Sequence, residues 1–497
     1  MDKVIKSANE ASEQIIKWGE SHGLETCFER AERLKPCPIG SKGACCKICH
    51  IGPCRLVGPN AEEEARGVCG APLPTIAARN LLRNAAAGAA AHSDHARDMV
   101  FILLAIANGE TKDFEIKDGK KLNTVAAILG IESGNGRSEK DVARDVALRL
   151  LDDFGRQKGE INYIRRAPKK TQERWRKWGI IPRGIDREIA EALHRTNMGV
   201  DHDPDSLLLS ALRVSLADGW GGSMISTDIT DILFGTPRPV KAEASFGIFK
   251  EDEVNIVVHG HEPSLAEMIV EVVGEPEMIA HAKLKGAKGI NLGGMCCTAN
   301  EVLMRHGIPT AGGFTNQELA LMTGLVDALT VDVQCIMPAL AELSKKFHTK
   351  VITTSYKAKI PGAIHIEYDE HRAKDIAREI VSIAIENYPN RKTKGSHITQ
   401  KYPVIAGFSH EYIEYMQGGR WRASFRPLND AIMAGRIRGV VGLAGCDNPR
   451  VPSQGLHRFL ALELIKRDVI IVSTGCGSHA CGAAGFLTPE MALENAG

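Results

Sequence analysis

Four cysteines near the N-terminus have the spacing of ligands to an iron–sulfur cluster. Cys46, Cys49, Cys54 and Cys69 follow the pattern C-x2-C-x4-C-x14-C. A tight loop of thiolates plus one more distant thiolate suits a four-iron cubane, because each iron needs one soft sulfur ligand. A structural zinc site more often shows two close cysteine pairs about 15 or more residues apart. The spacing therefore predicts a [4Fe–4S] cluster rather than zinc.

Two further cysteines, Cys37 and Cys45, lie just before this set. Two thiolates cannot complete a four-iron cluster within one chain. One interpretation is a twofold axis that brings the same pair from a second chain, so that two copies share a cluster. The alternative is that both are ordinary buried thiols. We expect the shared cluster, because Cys46, the neighbour of Cys45, already belongs to the first set.

A second group of soft or borderline metal ligands occurs in the later half of the chain. Each member follows a short run rich in β-branched residues, as in "NIVVHGH" and "DVIIVSTGC". In an open parallel sheet the carboxyl ends of the strands meet at one edge, where ligands bind. A single cysteine after a strand is more often a small buried residue, but five candidates at equivalent places favour a site. The five are His261, Cys297, Cys335, Cys446 and Cys476.

Four thiolates and one imidazole exceed the needs of one cubane, and the imidazole is a harder ligand than the thiolates. This mixture predicts a heterometallic or otherwise modified iron–sulfur cluster with a reactive metal position, rather than a plain electron relay. Cys296 and His259 lie beside the candidates, and either could support the site or be purely structural.

The elements that must position these residues change in character near residue 235. Before it, segments rich in Ala, Leu and Arg with apolar residues at helical spacing predict helices. After it, β-branched runs alternate with helical stretches, which indicates parallel strands joined by crossover helices. We predict a multidomain α plus α/β fold, with a helical iron–sulfur domain over 1–235 and Rossmann-like parallel α/β domains over 236–395 and 396–497. The last shows only three strands, so we expect it to be incomplete.

Composition excludes several classes of protein. With 497 residues, 43% of them hydrophobic, the chain can build large cores without disulfides. A net charge of +1 and no basic block give no electrostatic case for binding nucleic acid or anionic membranes. The charged, amphipathic N-terminus is unlike a signal peptide, and no apolar run reaches about 18 residues. We therefore expect a cytoplasmic protein.

Several motifs resemble those of the catalytic subunit of anaerobic nickel–iron carbon monoxide dehydrogenases. They include "CCKICHIGPCRL", "AAHSDHARD", "VVHGHEP", "CCTANEVLMRHG", "AGCDN" and "TGCGS", and together they extend over nearly the whole chain. The resemblance implies reversible oxidation of CO with water to CO2, two protons and two electrons. It also implies a homodimer that shares a cluster through Cys37 and Cys45. The second group of ligands would hold a nickel–iron–sulfur cluster, with His261 and Cys297 on its unique iron.

The resemblance further implies how electrons and protons leave. Electrons would pass through the [4Fe–4S] clusters to ferredoxin or a similar carrier, and acetyl-CoA synthase is a further implied partner. His92 in "AAHSDHARD" matches the family's proton-carrying histidine, and His95 lies one helical turn further on the same face. Without the resemblance, two surface histidines on an amphipathic helix would be the simpler interpretation.

One departure from the family concerns the C-terminus. Family members continue with a further cysteine that binds nickel and a lysine, whereas this sequence stops at "LTPEMALENAG". We expect a truncated chain with little or no CO oxidation as it stands. Cys481 is a poor substitute thiolate, because a helix after Cys476 would carry it away. Two alternative functions follow: a noncatalytic electron-transfer or assembly homologue without the nickel site, and a hybrid-cluster-type reductase acting on hydroxylamine.

Overall fold

The computed structural model describes residues 5–61, 63–134, 136–391, 395–396, 398–418 and 424–496. The chain forms two compact units. The helical unit comprises Lys35–Gly235, and the α/β unit comprises Met1–Leu34 together with Thr236–Gly497. The predicted combination of a helical region and a parallel-sheet region is confirmed. The division into three domains at residues 235 and 395 stays a prediction.

The elements in chain order are as follows. The strands are β1 Cys45–Cys46, β2 Cys54–Arg55, β3 Val240–Ala244, β4 Val254–Gly260, β5 Ile290–Met295, β6 Thr310–Gly312, β7 Val326–Val331, β8 Lys350–Thr353, β9 Ile364–His365, β10 Tyr402–Ala406, β11 Gly439–Leu443 and β12 Val469–Ser473. The α-helices are α1 Glu10–Ser21, α2 Cys27–Arg33, α3 Leu73–Asn108, α4 Gly119–Leu129, α5 Glu139–Gly155, α6 Lys169–Trp178, α7 Ile185–Arg195, α8 Pro204–Ala217, α9 Ser223–Phe234, α10 Ser264–Val272, α11 Pro276–Leu284, α12 Cys296–His306, α13 Gln317–Met322, α14 Ala339–Ser344, α15 Ala373–Asn387, α16 His410–Gly418, α17 Arg426–Met433, α18 Gly455–Ile465, α19 Gly475–Gly482 and α20 Pro489–Asn495. Short 3-10 helices lie at Gly40–Lys42, Asn162–Arg166, Phe246–Ile248, Phe314–Asn316 and Tyr388–Asn390, and a π-helical turn lies at Asp218–Gly222.

One long helix organises the helical unit. α3 runs for 36 residues and has a proline in its first turn. It ends at Asn108 and is capped by Gly109, whose left-handed φ of 74° suits glycine. Small residues on its buried face let α7 and α8 pack closely against it, in a cluster of Ala78, Leu82, Ala86, Ala89, Ala192, Leu207, Ala211 and Val214. Despite the length of α3, no helix among the described residues is both long and apolar enough to cross a membrane.

The α/β unit is built on an eight-stranded sheet in the order β10-β3-β6-β5-β4-β7-β8-β9. From β3 to β9 all neighbours are parallel. Every residue of β4 ("VNIVVHG") and of β7 ("VDALTV") is buried. Such continuous buried runs are typical of parallel strands covered by helices on both faces. Crossover helices such as α10 and α12 return the chain so that successive strands point the same way.

Two features differ from the succession of strands predicted for the α/β region. β10, which the sequence placed in the last α/β domain, pairs antiparallel with β3 at the edge of the main sheet. Val404 of β10 is buried against Ala244 and Leu303, so apolar packing holds the strand there. Of the three strands predicted for that domain, β11 and β12 form a separate parallel pair, and α18 lies between them in the chain.

The first described residues belong to the α/β unit. Ile15 and Ile16 of α1 are buried in the core of that unit. The buried carboxylate of Glu318 on α13 accepts a hydrogen bond from the backbone N–H of Cys27 at 2.6 Å and pairs with Arg30 at 2.8 Å. These contacts link α2 to a helix almost 300 residues away in the chain.

Candidate metal centre

Three of the predicted ligands lie at the carboxyl edge of the eight-stranded sheet. His261 directly follows β4, Cys297 is the second residue of α12, which begins where β5 ends, and Cys335 follows β7 after a short loop. β5, β4 and β7 are adjacent parallel strands. Their carboxyl ends therefore bring the three residues to one edge, where open parallel sheets bind ligands.

Cys446 and Cys476 lie in the same region, beyond the ends of β11 and β12, which form a separate parallel sheet. Cys446 follows β11, and Cys476 is the second residue of α19, which begins just beyond β12. The backbone N–H of Phe314 donates to Cys476 Sγ at 3.2 Å. A Cβ added to Gly475 would lie 3.9 Å from Cys297 Sγ. The start of α19 thus lies beside the start of α12.

The thiols of this region form a chain of interacting groups, Cys335, Cys446, Cys476 and Cys296, in which each thiol shifts the pKa of the next. The hydrogen bonds from Cys335 and Cys476 lower the pKa of Cys446. The bond to Cys446 raises the pKa of Cys335, and the bonds to Cys296 and Cys446 raise that of Cys476. Deprotonating all of them together would gather negative charge that bound metal would neutralise. The donor chemistry therefore fits a metal–sulfur cluster.

Cys296 belongs to this chain of thiols, although the sequence marked it only as a neighbour of Cys297. It is buried and has a φ of 58°, a left-handed conformation that side chains other than glycine rarely adopt. A hydrogen bond from Cys476, and then the neighbouring His259, lower its pKa well below the usual range. The available sequence signal was its position at the first turn of a helix that follows a strand.

Gln317 holds the backbone that carries Cys335. Its buried amide donates from Nε2 to the carbonyl of Cys335 at 2.6 Å and to that of Phe314 at 3.0 Å. Its Oε1 accepts from the backbone N–H of Met337 at 3.0 Å. Gln334 and Cys335 both have left-handed φ values, 65° and 57°. The hydrogen bonds to Cys335 and Met337 thus stabilise a strained turn, as is common at functional sites.

His479 connects three elements around the thiols. Its Nε2 lies 2.8 Å from the carbonyl oxygen of Cys296, and its Nδ1 lies 2.6 Å from Thr310 Oγ1. Burial lowers the pKa of His479, which favours the neutral ring. Because a carbonyl can only accept, Nε2 carries the proton and Nδ1 accepts from Thr310. The ring therefore links α19 to β6 and to the start of α12.

Asp447 holds the loop that carries Cys446. Its Oδ2 accepts from Thr315 Oγ1 at 2.9 Å, and it also accepts a hydrogen bond from Ser453 Oγ. The backbone N–H of Gln454 donates to both carboxylate oxygens, at 2.9 and 3.0 Å. One carboxylate thus joins the end of β11, the start of α18 and the 3-10 helix Phe314–Asn316.

The four cysteines predicted to bind the first cluster line one pocket of the helical unit. Cys46, Cys49, Cys54 and Cys69 surround it together with apolar side chains. Cys46 and Cys54 are paired across the small β1–β2 ribbon. The backbone N–H of Val68 donates to Cys54 Sγ at 3.5 Å, and such N–H bonds to sulfur are typical of iron–sulfur sites. The structure therefore brings the whole predicted set together.

Cys37 and Cys45 are more accessible than buried structural thiols would be. Cys37 is exposed and Cys45 is half-buried. Backbone N–H groups of Gly40 and Ile39 lower the pKa of Cys37, the first of them donating to Sγ at 3.5 Å. Neither residue is thus fully buried, and the cluster shared between two copies stays a prediction.

The described residues contain no group of three or more His, Cys, Asp or Glu side chains placed to hold a single metal ion. A four-iron cubane makes a different demand on the protein. Each thiolate binds a different iron, so the ligands are spaced around the cluster rather than drawn in to one point.

The predicted proton-carrying histidines lie on α3 in the helical unit. His92 Nδ1 lies 2.6 Å from Asp218 Oδ1 on the π-helical turn, and Ser223 Oγ donates to the same carboxylate oxygen at 3.0 Å. The hydrogen bond to Asp218 raises the pKa of His92. His95 is buried one turn further along the helix. π-Helical turns occur frequently at functional sites.

Comparison with known proteins agrees with this architecture. Residues 44–497 match the Prismane/CO dehydrogenase family. The chain is 49% identical to carbon monoxide dehydrogenase 1 of Methanosarcina mazei over 98% of its own length and 77% of that protein. It is 42% identical to the carbon monoxide dehydrogenase/acetyl-CoA synthase subunit beta of Moorella thermoacetica, over 96% of this chain and 71% of that one.

A solved structure gives the same result. The nickel-free carbon monoxide dehydrogenase from Thermococcus sp. AM4 superposes with a TM-score of 0.95 at 50% identity, covering 99% of this chain and 77% of that one. The chain therefore belongs to the Prismane/CO dehydrogenase family and, within it, to the carbon monoxide dehydrogenases.

Proposed function

We propose that this chain catalyses the reversible oxidation of CO with water to CO2, two protons and two electrons at a nickel–iron–sulfur cluster. The observation that carries the proposal is the convergence of thiols at the carboxyl edge of the parallel sheet. Cys297 and Cys335 follow β5 and β7, which both neighbour β4 in the parallel sheet. A Cβ on Gly475, beside Cys476, would lie 3.9 Å from Cys297 Sγ, and the N–H of Phe314 donates to Cys476 Sγ at 3.2 Å. This is an arrangement that suits a sulfur-rich cluster.

In this proposal the cluster is held by His261, Cys297, Cys335, Cys446 and Cys476. When bound, it supplies adjacent metal positions that can polarise CO and lower the pKa of a water molecule. The chain's own residues fix the geometry. Gln317, His479 and Asp447 hold the ligand-bearing loops through hydrogen bonds, which limits reorganisation during the reaction.

The proposed electron route begins in the helical unit. Cys46, Cys49, Cys54 and Cys69 would hold a [4Fe–4S] relay cluster, since they line one pocket. The accessible Cys37 and Cys45 would share a further cluster with the same residues of a second copy in a homodimer. Electrons would then pass to ferredoxin or a similar carrier.

We assign proton transfer to His92 and His95. Asp218 Oδ1 accepts from Nδ1–H of His92 and favours the protonated ring, so Nε2 is the atom that gives and takes the exchangeable proton. Acetyl-CoA synthase is a candidate partner, since the Moorella thermoacetica relative carries that name. All thirteen cysteines are free thiols, which supports a reducing compartment such as the cytoplasm.

The test is made on protein purified without oxygen and reconstituted with iron, sulfide and nickel. CO should change the low-temperature EPR spectrum and support reduction of a viologen dye only when nickel is present. We expect the dye reduction to be slow in the 497-residue chain and to increase in a chain extended with the family's C-terminal region. The Cys335→Ser variant should lose both responses, and Cys481→Ser should keep them, because the buried Cys481 lies outside the ligand set.

Two outcomes would contradict the proposal. A filled second cluster that is indifferent to CO would favour an electron-transfer or assembly role. Reduction of hydroxylamine in place of CO oxidation would favour a hybrid-cluster-type reductase.

A further inference from the structure

We propose that Asp332 is a positioning residue that fixes the His261 turn against the first turn of α12, where Cys297 lies. The inference rests on the proposed function, because it takes His261 and Cys297 as ligands of the same cluster. It adds a residue that the ligand pattern itself does not include.

Asp332 directly follows β7, the strand adjacent to β4. One carboxylate oxygen, Oδ1, accepts the backbone N–H of His261 at 2.6 Å and that of Glu262 at 3.2 Å. It also accepts the backbone N–H of Val333. The bonds from His261 and Glu262 hold the chain beyond β4 against this single oxygen atom. The position of the His261 backbone is therefore set by a side chain on the neighbouring strand.

The other oxygen of Asp332 reaches α12. Oδ2 accepts from Thr298 Oγ1 at 2.9 Å, and Thr298 is the residue after Cys297. One carboxylate thus binds the backbone of one proposed ligand and the neighbour of the other. A change at Asp332 would alter the relative position of His261 and Cys297, not only the order of one loop.

Gly260 makes this approach possible. It has a φ of 137°, and a Cβ at that position would lie 1.9 Å from Asp332 Oδ1. Any side chain there would push the carboxylate away from the His261 N–H. Gly260 also forms a parallel bridge with Cys296. Because Gly260 has no Cβ, the Asp332 carboxylate can approach the backbone N–H of His261.

Asparagine at position 332 would keep the size of the side chain but remove one of its two acceptor oxygens. It has one acceptor oxygen, and its NH2 group would face donors instead of accepting from them. Partners of this kind around metal ligands typically contribute about 10–100-fold to metal affinity. We therefore expect Asp332→Asn to fold and to hold the second cluster poorly.

The matched control is Asp327→Asn. Asp327 lies on β7 itself, is buried, and accepts from the backbone N–H of Asn255 at 2.7 Å and from His348 at 3.0 Å. Its contacts lie toward the opposite end of the strand from Asp332. Loss of this carboxylate should lower stability without reaching the ligands. Comparison with Asp327→Asn thus distinguishes a general loss of stability from a displacement of the proposed ligands.

Two readouts are measured on the full chain, labelled with 15N-histidine and reconstituted anaerobically with iron, sulfide and nickel. Pulsed EPR detects the coupling of the cluster to histidine nitrogen, which the all-cysteine relay cluster cannot produce. Iron release to a chelator reports retention. We expect Asp332→Asn to lose or shift the histidine coupling and to release the iron of the second site about 10–100-fold faster than the parent, and Asp327→Asn to match the parent in both.

The outcomes separate this inference from the proposed function. Histidine coupling and iron release that are unchanged in Asp332→Asn would overturn the role of Asp332 and leave the ligand set intact. A parent chain with its relay cluster but no histidine coupling would overturn both.

If Asp332→Asn fails to fold, Thr298→Val replaces it. This variant removes only the hydrogen bond to Oδ2 and is compared with Thr349→Val, which removes a hydroxyl bonded to the carbonyl of Val326. Faster iron release in Thr298→Val than in Thr349→Val would support the inference, and equal rates would contradict it.

Discussion

At the scale of single residues, the candidate metal centre depends on a glycine that packs directly against one of the proposed ligands. Gly313 directly precedes Phe314, whose backbone N–H donates to Cys476 Sγ. A Cβ at position 313 would lie 2.8 Å from Sγ and 3.1 Å from Cβ of Cys476. Contacts this short require the cysteine or the 3-10 helix Phe314–Asn316 to move. The close approach of backbone to sulfur thus depends on glycine.

We expect Gly313→Ala to lower the free energy of unfolding by about 1–3 kcal/mol, the usual effect of overpacking a filled site. Denaturant unfolding of the apo-protein measures it. Gly439→Ala is the control, because no heavy atom lies within 4 Å of a Cβ there, and its effect should stay within about 0.5 kcal/mol. Equal effects of the two changes would show that the contact with Cys476 is unimportant.

His92 provides a second prediction at this scale. Its hydrogen bond to Asp218 raises its pKa above the usual 6.5, because the carboxylate stabilises the charged ring. A raised folded-state pKa contributes stability that is fully present below 6.5 and is lost as the pH rises through the raised value. We expect Asp218→Asn to remove both the raised pKa and this acid-side stabilisation.

NMR titration of 13C-labelled histidine measures the His92 pKa directly. Asp186→Asn is the control, because Asp186 pairs with Ser93 and Arg97 on the same helix and not with His92. A His92 pKa that stays raised in Asp218→Asn would contradict the assignment.

At the scale of elements, the helical unit is held together by a buried ionic cluster. Lys121 of α4 lies 3.1 Å from Asp228 and 3.1 Å from Asp231, both on α9. Asp228 also accepts hydrogen bonds from Tyr163 and Arg166 of the 3-10 helix Asn162–Arg166. One cluster of charges thus ties three elements, and Lys121 is only 4% exposed.

We expect Lys121→Met to lower the free energy of unfolding by about 3–5 kcal/mol, because it leaves two buried carboxylates without their shared cation. Thermal or denaturant unfolding measures the loss. The neighbouring Lys120 is exposed, so Lys120→Met should change stability by no more than about 0.5 kcal/mol. A small effect at Lys121 would mean that Arg166 alone compensates for the charge.

At the scale of the whole molecule, the two candidate cluster sites belong to different compact units. The cysteines proposed for the relay cluster lie in the helical unit, and the residues proposed to hold the nickel–iron–sulfur cluster lie in the α/β unit. Each of these proposed ligand sets lies within one unit, whereas Cys37 and Cys45 are proposed to share a cluster with a second copy. The two sites should therefore load with iron independently.

We expect the double variant Cys46→Ala, Cys49→Ala to lose about four irons per chain and to keep the histidine-coupled EPR signal of the second site. Iron analysis and EPR on the same samples measure the two sites separately. Cys27→Ala is the control, because Cys27 is a buried thiol whose N–H is bonded to Glu318, and it should lose no iron. Simultaneous loss of both signals in the double variant would refute independence.

The sequence by itself determined the features that depend on near neighbours in the chain. Helical and strand periodicity separated the helical region from the parallel sheet, since side-chain repeats of 3.6 and 2 residues reflect local backbone geometry. The spacing of Cys46, Cys49, Cys54 and Cys69 likewise predicted one cluster site from a short stretch of sequence. The convergence of the carboxyl ends of parallel strands at one edge was enough to predict that His261 and four later cysteines form one site.

Only the tertiary structure decided which distant groups support that site. Asp332 and His261 are 71 residues apart, and His479 and Cys296 are 183 apart, so no local pattern links them. The same holds for β10, whose antiparallel place beside β3 depends on apolar packing around Val404. Hydrogen bonds and packing act between atoms that are close in space, and the order of strands in a sheet, which sets that closeness, is a property of the whole chain.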